Sequence, residues 1–314
     1  MKITSVRARV VDVPADEPLA DGEAGAVVPR RYVALKIGTD AGVEGIGVAC
    51  FGGALTRALH AALEDLGGLI AGMDPARPEL VAQKINGAGG AAGGAGPGGL
   101  LTLAMSAIDI ALWDIRGKAL GVPISALLGG AREAVPAYAS GALMRTQSLK
   151  DIERAARLLV ERGWTAMKTQ LALPGETSPA KEIERIRILR EIAGPDARLM
   201  CDINQRWSPD QAVSIGQQIE PYGLEWLEDV TVADDYAGLA RVRDRLTTPI
   251  AGGEYVWGIV PFRHMLEARS VDIVMIDLAR AGGITPWLKI AGMAEAFNVP
   301  VVSHLLPEIH VHLI

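Results

Sequence analysis

From residue 135 onward, short apolar runs alternate with amphipathic stretches at a nearly constant interval. Runs at 135–139, 166–171, 198–203, 224–230, 249–253, 271–277 and 299–304 predict strands. Apolar positions recurring every three or four residues predict helices over 148–162, 179–193, 208–220, 234–245, 259–268 and 284–296. Seven strands alternating with six helices describe parallel β/α units, and their count and spacing favour a (β/α) barrel over an open doubly wound sheet. No Gly-x-Gly-x-x-Gly follows the first of these strands, which supports the barrel. The first part of the chain patterns differently. Strands are expected over 1–13, 32–37 and 43–49, the last two joined by the turn Thr39-Asp40-Ala41-Gly42, so an antiparallel meander is predicted. Helices are expected over 54–70 and 100–120. Residues 14–30 read as a loop. The run 87–99 holds only Gly, Ala and Pro97, and its chance match to a dinucleotide fingerprint lacks the preceding strand, so it reads as a flexible linker.

Charged groups close several of the predicted barrel strands: Lys168, Asp202, Glu228 and Glu254, then Asp277 and His304. Asp202 and Glu228 lie 26 residues apart, as do Glu228 and Glu254, an interval that suits one strand, one loop, one helix and a return. In such barrels the C-terminal strand ends face one shared space. Oxygen ligands converging there from three strands are what a hard divalent cation requires. A lone Asp or Glu is far more often a helix cap or a solvated charge, but three at strand ends with a repeated interval reverse that balance. Asp277 and His304 come from consecutive strands, and a carboxylate on one imidazole nitrogen fixes the tautomer and raises the basicity of the other. Ser140 and Gln170 are candidate substrate contacts. His310 and His312 are read as structural, because helical spacing splays residues two apart. Lys181, Glu182, Glu184, Arg185 and Arg187 read as a solvated helix face.

Composition narrows the class. The 314 residues carry a net charge of −6, which lacks the basic footprint of a nucleic-acid binder. No apolar run is long enough to span a bilayer, and Met1–Ser5 does not open a secretory signal. Cys50 and Cys201 follow no disulfide or metal spacing. The expectation is a cytoplasmic enzyme without nucleic-acid or membrane partners.

Six motifs in order resemble the enolase superfamily, and within it the mandelate racemase subgroup, over nearly the whole chain. These are Ala104–Asp109 continuing through Trp113-Asp114 to Gly117-Lys118, Lys168-Thr169-Gln170, Asp202-Ile203-Asn204-Gln205, Trp226-Leu227-Glu228-Asp229, Gly253-Glu254, and Asp277 with Gly282–Thr285 followed by Ser303-His304-Leu305. The resemblance implies an α/β fold: a modified (β/α)7β TIM-like barrel at 126–314 with an N-terminal α+β capping domain at 1–125. It implies one Mg2+ on Asp202, Glu228 and Glu254, His304 supported by Asp277 as a base, and Lys168 near the substrate carboxylate or the second base position. The chemistry it implies is removal of a proton α to the carboxylate of a small-molecule substrate, with Asn204 and Arg280 on substrate oxygens and the charge that builds on the oxygens offset by a divalent ion. A homo-oligomer is expected.

Two departures shape the reading. The racemase pattern places a second lysine where this chain has Gln170, which cannot take a proton at neutral pH. A one-base reaction through His304 then gains weight, and its simplest outcome is dehydration of a sugar acid. A racemase or epimerase using Lys168 as second base, and a non-catalytic acid-binding barrel, are the alternatives. The stretch from Val135 to Ile314 is also shorter than the roughly 250 residues of a typical barrel, so the C-terminal end reads as incomplete, without its eighth strand.

Overall fold

The computed structural model describes residues 1–13, 30–87, 94–95, 97–173, 175 and 179–314. The predicted loop at 14–30, apart from Arg30, and most of the glycine-rich run lie outside these residues.

The first unit is a three-stranded antiparallel sheet, β1 (Ile3–Val13), β2 (Arg30–Thr39) and β3 (Glu44–Ala49), in sequence order, as the meander predicts. Val33, Leu35 and Ile37 alternate toward one face and are fully buried there. Against that face pack α1 (Thr56–Ile70), through Leu59, Leu63, Leu66 and Ile70, and beside it, past α2 (Pro78–Asn86), which lies on the two helices, α3 (Gly99–Leu120). Gly45 and Gly47 let β3 lie directly on α3, since a Cβ at either would meet the carbonyl of Ala111 or Ala107 at 2.1 or 1.9 Å. Apolar residues surround α3 because it serves two cores: Ile110 and Trp113 belong to the core of the second unit.

After the short α4 (Ile124–Leu127), the chain forms seven parallel strands: β4 (Ala139–Leu143), β5 (Ala166–Gln170), β6 (Arg198–Asp202), β7 (Trp226–Glu228), β8 (Ile250–Gly252), β9 (Ile273–Asp277) and β10 (Val301–His304). They lie in sequence order and alternate with α5 (Leu149–Glu161), α6 (Pro179–Ala193), α7 (Pro209–Ile219), α8 (Tyr236–Arg243), α9 (Val260–Glu267), α10 (Leu278–Ala281) and α11 (Ile284–Ala296), and α12 (Pro307–His310) follows β10. Ser148 caps α5, and a full capping box of Ser208 and Gln211 starts α7. One prediction shifts: the first barrel strand is 139–143, not 135–139. Pro136 has no N–H to give a ladder, and pairing with β5 begins only at Ala139. Ser140 therefore opens the strand instead of closing it.

The two units are joined by a polar weld. Asp109 of α3 accepts hydrogen bonds from Thr285 N at 2.8 Å and Thr285 Oγ1 at 2.6 Å, in the first turn of α11. Trp113 Nε1 donates to the same Thr285 hydroxyl at 2.9 Å. A carboxylate of one unit thus serves the open N–H groups of a helix in the other.

Candidate active site

Strand register assembles the site. Gln170 pairs with Asp202, Asp202 with Glu228, and on the other side His304 with Asp277, so each pair ends at one level of the sheet. Side chains alternate inward and outward along each strand. Inward, one step below the charges, Ala166, Met200, Trp226, Ala251 and Met275 form an apolar floor packed with Tyr138, Ile273 and Val302. Outward, Met167, Leu199, Cys201, Leu227, Ile250, Val274 and Ile276 join the core under the helices. Glu254 breaks this alternation, because Gly253 adopts φ +126 and redirects the chain. A side chain there would strike the Met275 carbonyl at 2.6 Å, so the bend needs glycine.

Above the floor lies a cavity of about 600 Å³, lined by Lys168, Gln170, Asp202, Asn204, Glu254 and His304, with Tyr138 and Ser140 from the start of the first barrel strand. Lys168 Nζ sits 2.5 Å from Glu228 Oε1, and Trp226 Nε1 donates to Glu228 Oε2 at 2.9 Å, so each oxygen of this buried carboxylate has one donor. Burial alone would lower Lys168, but Glu228 with Tyr138 and Asp202 outweighs it and holds the ammonium above its ordinary range. Burial raises Asp202 and Glu228 in turn, and the crowding of the carboxylates adds to it.

His304 is held at both nitrogens. Nδ1 lies 2.6 Å from Asp277 Oδ2 and Nε2 lies 3.0 Å from Glu254 Oε2. Burial opposes the charged imidazole, yet the hydrogen bonds to Asp277 and Glu254 outweigh it and raise it to about 9. The converse holds for Glu254: burial would raise it, and His304 pulls it down to about 2.

Gln170 is fully engaged. Its Nε2 donates to Asn204 Oδ1 at 3.0 Å and to Asp202 Oδ2 at 3.4 Å, while its Oε1 accepts from Arg145 Nε at 3.3 Å. Arg145, which the sequence reading passed over, is buried and also donates to Asn204 Oδ1 and the carbonyls of Asp202 and Ile203. Asn204 Nδ2 in turn donates to the Tyr255 hydroxyl at 3.1 Å. Arg280 does not line the cavity. Its Nη1 donates to the Glu254 carbonyl at 2.6 Å, and its guanidinium lies over the rings of Phe51, Tyr255 and Trp257. His310, expected to be structural, is buried with Nδ1 2.7 Å from the Leu305 carbonyl and borders the far end of the cavity.

The solvated face expected on α6 is corrected in part, since Glu182 and Arg185 are buried. Glu182 accepts from the N–H groups of Ala172 and Leu173, and Arg185 donates to the carbonyls of Met144, Arg145 and Gln147. Both satisfy loop backbone that leaves β4 and β5 beside the site, which a charge pattern alone does not reveal. Backbone strain gathers in the same place. Of nine non-glycine residues with positive φ among those described, Ala172, Asn204, Gln205, Asp229, Leu305 and Leu306 follow site strands directly, and Phe51 overhangs them. Such conformations cost about 1–3 kcal/mol each and persist where the surroundings enforce them.

The donor set suits a hard divalent cation. Asp202, Glu228 and Glu254 offer only carboxylate oxygens, and Glu228, Asp229 and Glu254 bring ligand atoms within 4.8 Å of one another. Asp229 is the further carboxylate of this cluster, and its buried Oδ2 has no hydrogen-bond partner. Its Oδ1 is turned to Gly253 N at 3.3 Å, and burial together with Glu254, Glu228 and Asp202 pushes its carboxyl well above the ordinary range, toward the neutral form. Asp202 faces the cavity beside Glu228.

Comparison with known proteins places this geometry. Residues 5–129 match the model of the mandelate racemase / muconate lactonizing enzyme N-terminal domain, and residues 150–314 match the enolase C-terminal domain-like model. The chain is 34% identical to a D-galactarolactone cycloisomerase of Agrobacterium fabrum, covering 97% of this chain and 79% of that one. It is 30% identical to an L-talarate/galactarate dehydratase of Salmonella typhimurium, covering 99% and 78%. The crystal structure of an L-talarate dehydratase from a Polaromonas species, complexed with Mg and L-glucarate, superposes with a TM-score of 0.89 at 30% identity, over 99% of this chain and 83% of that one.

Proposed function

The chain belongs to the mandelate racemase / muconate lactonizing enzyme family, and we propose that it dehydrates a sugar acid by Mg2+-dependent removal of the proton α to the carboxylate, with His304 as the base. The observation that carries this reading is the asymmetry of the cavity: a carboxylate-supported imidazole on one side and the amide of Gln170 on the other. Asp202, Glu228 and Glu254 would hold the ion, which when bound supplies positive charge to the substrate oxygens on which negative charge builds.

The protein groups have separate tasks. Asp277 accepts Nδ1–H and so leaves the Nε2 lone pair of His304 to take the α-proton. In the resting geometry Nε2 lies against Glu254, one of the two carboxylates that raise the imidazole. Engaging Glu254 elsewhere removes that contribution and returns His304 toward the range of a working base. The protonated imidazole then delivers its proton to the departing β-hydroxyl. The α-proton and β-hydroxyl leave together as one water, and the enol that remains tautomerises to a 2-keto-3-deoxy acid. Lys168, held charged beside Glu228, lies on the cavity wall where it can neutralise a substrate carboxylate. Gln170 has no proton-accepting nitrogen, so a racemase route through this position lacks its second base.

A panel of acid sugars and their lactones, incubated with the protein and Mg2+, tests the proposal. The expected product is a 2-keto-3-deoxy acid, abolished by EDTA and by His304→Asn. A product isomeric with a lactone substrate, with no water lost, replaces dehydration by cycloisomerisation. Solvent deuterium entering the α-carbon with inversion and no loss of water supports a racemase instead.

A further inference from the structure

Phe51 closes the turn after β3, just before Gly52 and Gly53, and its backbone sits at φ +63. A bulky residue in that region is uncommon, and two glycines that adopt it freely stand next in the chain. The ring is 38% exposed, so core burial does not explain the conformation. What the conformation achieves is placement. The Phe51 ring lies parallel to the His304 imidazole, with an interplanar angle of 6° and centroids 6.3 Å apart. The Arg280 guanidinium carbon lies 4.1 Å from the same ring centroid. Arg280 is itself tied to both residues that hold His304, donating from Nη1 to the backbone carbonyl of Glu254 and from its backbone N to Asp277 Oδ1.

We propose that Phe51 is a positioning residue, carried by the first unit, that fixes the plane of the His304 imidazole and the seat of Arg280 beside it. The inference rests on the reading of His304 as the base. The soft motion of a histidine ring is rotation about its Cβ–Cγ bond, which the contacts at Nδ1 and Nε2 oppose, the second of them only while Glu254 faces the ring. A parallel ring, offset from it with centroids 6.3 Å apart, opposes the tilt that this rotation would bring. When Glu254 is engaged elsewhere, His304 keeps one in-plane bond, to Asp277, and the stacked ring becomes the second restraint. The positive φ at Phe51 is then the cost of reaching over the site from another unit, in line with strain collecting where geometry must be exact in function.

The test is a series at position 51 in the full chain, Phe51→Leu, Ala, Gly and Trp, read in three ways. The His304 ring resonances, assigned with His304→Asn, are expected to be a single sharp set in the wild type and Phe51→Trp, and broadened or doubled in Phe51→Leu. On whichever acid is turned over, Phe51→Leu is expected to lower kcat about tenfold with KM within about twofold, the signature of lost alignment, and Phe51→Trp to restore most of it. Because glycine relieves the positive φ, Phe51→Gly is expected to melt about 2 °C above Phe51→Ala, the reverse of the usual order. Wild-type ring resonances in Phe51→Leu overturn the proposal. So does a rise in KM at constant kcat, which makes the ring a substrate wall, or a joint loss of Tm and kcat that tryptophan does not rescue. If the wild type turns over no acid, the proposed function fails, while the ring spectra still decide this inference.

Discussion

The weld between the two units makes a pH-dependent prediction through Asp109. Its carboxyl is buried against Thr285, and burial pushes it up to about 6 from an ordinary value of 3.8, despite the two Thr285 donors. A carboxyl whose folded value exceeds its unfolded value binds its proton more tightly when folded. Its contribution is therefore fully present below about pH 4 and lost as pH rises through 6. At ~1.4 kcal/mol per pH unit, that gap removes about 3 kcal/mol of stability between pH 4 and pH 7. Asp109→Asn keeps the shape, stays neutral at every pH, and turns an N–H toward one Thr285 donor, a roughly constant penalty of about 1–3 kcal/mol. Urea unfolding of both proteins from pH 4 to pH 8 isolates the effect, because every other carboxyl cancels in the difference. The wild type is expected to be the more stable at pH 4 and to lose about 3 kcal/mol of that advantage by pH 7.5. Two curves that run parallel across this window would refute the reasoning, since they would mean that the Thr285 donors offset burial completely.

Other predictions address the site. Asp277→Asn keeps the shape but loses the carboxylate that fixes the tautomer, and kcat is expected to fall by about 10²–10⁴-fold with little change in Tm, measured by steady-state kinetics and calorimetry. Lys168→Met leaves the Glu228 carboxylate buried with only the Trp226 N–H, and chelator-treated protein is expected to lose about 3–5 kcal/mol in urea unfolding. Added Mg2+ should recover more stability in that variant than in the wild type, because the site is more negative; equal recovery counts against Glu228 as a ligand. Arg185→Met frees three loop carbonyls next to Arg145 and is expected to cost about 3 kcal/mol and raise KM, with denaturation and kinetics as the readouts.

Much of the barrel was legible because two periodicities coincide in it. Short apolar runs marked the strands, the helical period marked the segments between them, and the charge closing each run marked the end of the sheet where Lys168, Asp202, Glu228, Asp277 and His304 gather. What escaped depends on three-dimensional company. The first barrel strand was placed four residues early because Val135–Ala139 has strand-like composition, while Pro136 and the absence of a partner before Ala139 decide otherwise. Glu182 and Arg185 look like solvated helix charges until the loops they satisfy are in place. Arg145 sits beyond the end of its strand, where no spacing rule reaches. Asp229 follows a candidate ligand in sequence, and only the fold shows that it joins Glu228 and Glu254 in one cluster. Phe51 falls between the strand expected over 43–49 and the helix expected over 54–70, and its ring plane is a property of the fold.

The alternation along the barrel strands also gives the site something like a reading frame. At positions of one parity lie the floor and the reactive groups, and at positions of the other lie the residues that bind strands to helices. Replacing a residue at the open end of the inward frame rewrites the chemistry and leaves the scaffold alone, and Gln170, two residues beyond Lys168 on β5, stands at just such a place. Inserting or deleting a single residue within a strand would exchange the two frames, sending charges under the helices and core side chains into the cavity. A molecule built this way can vary its reaction one letter at a time, provided the length of each strand is kept.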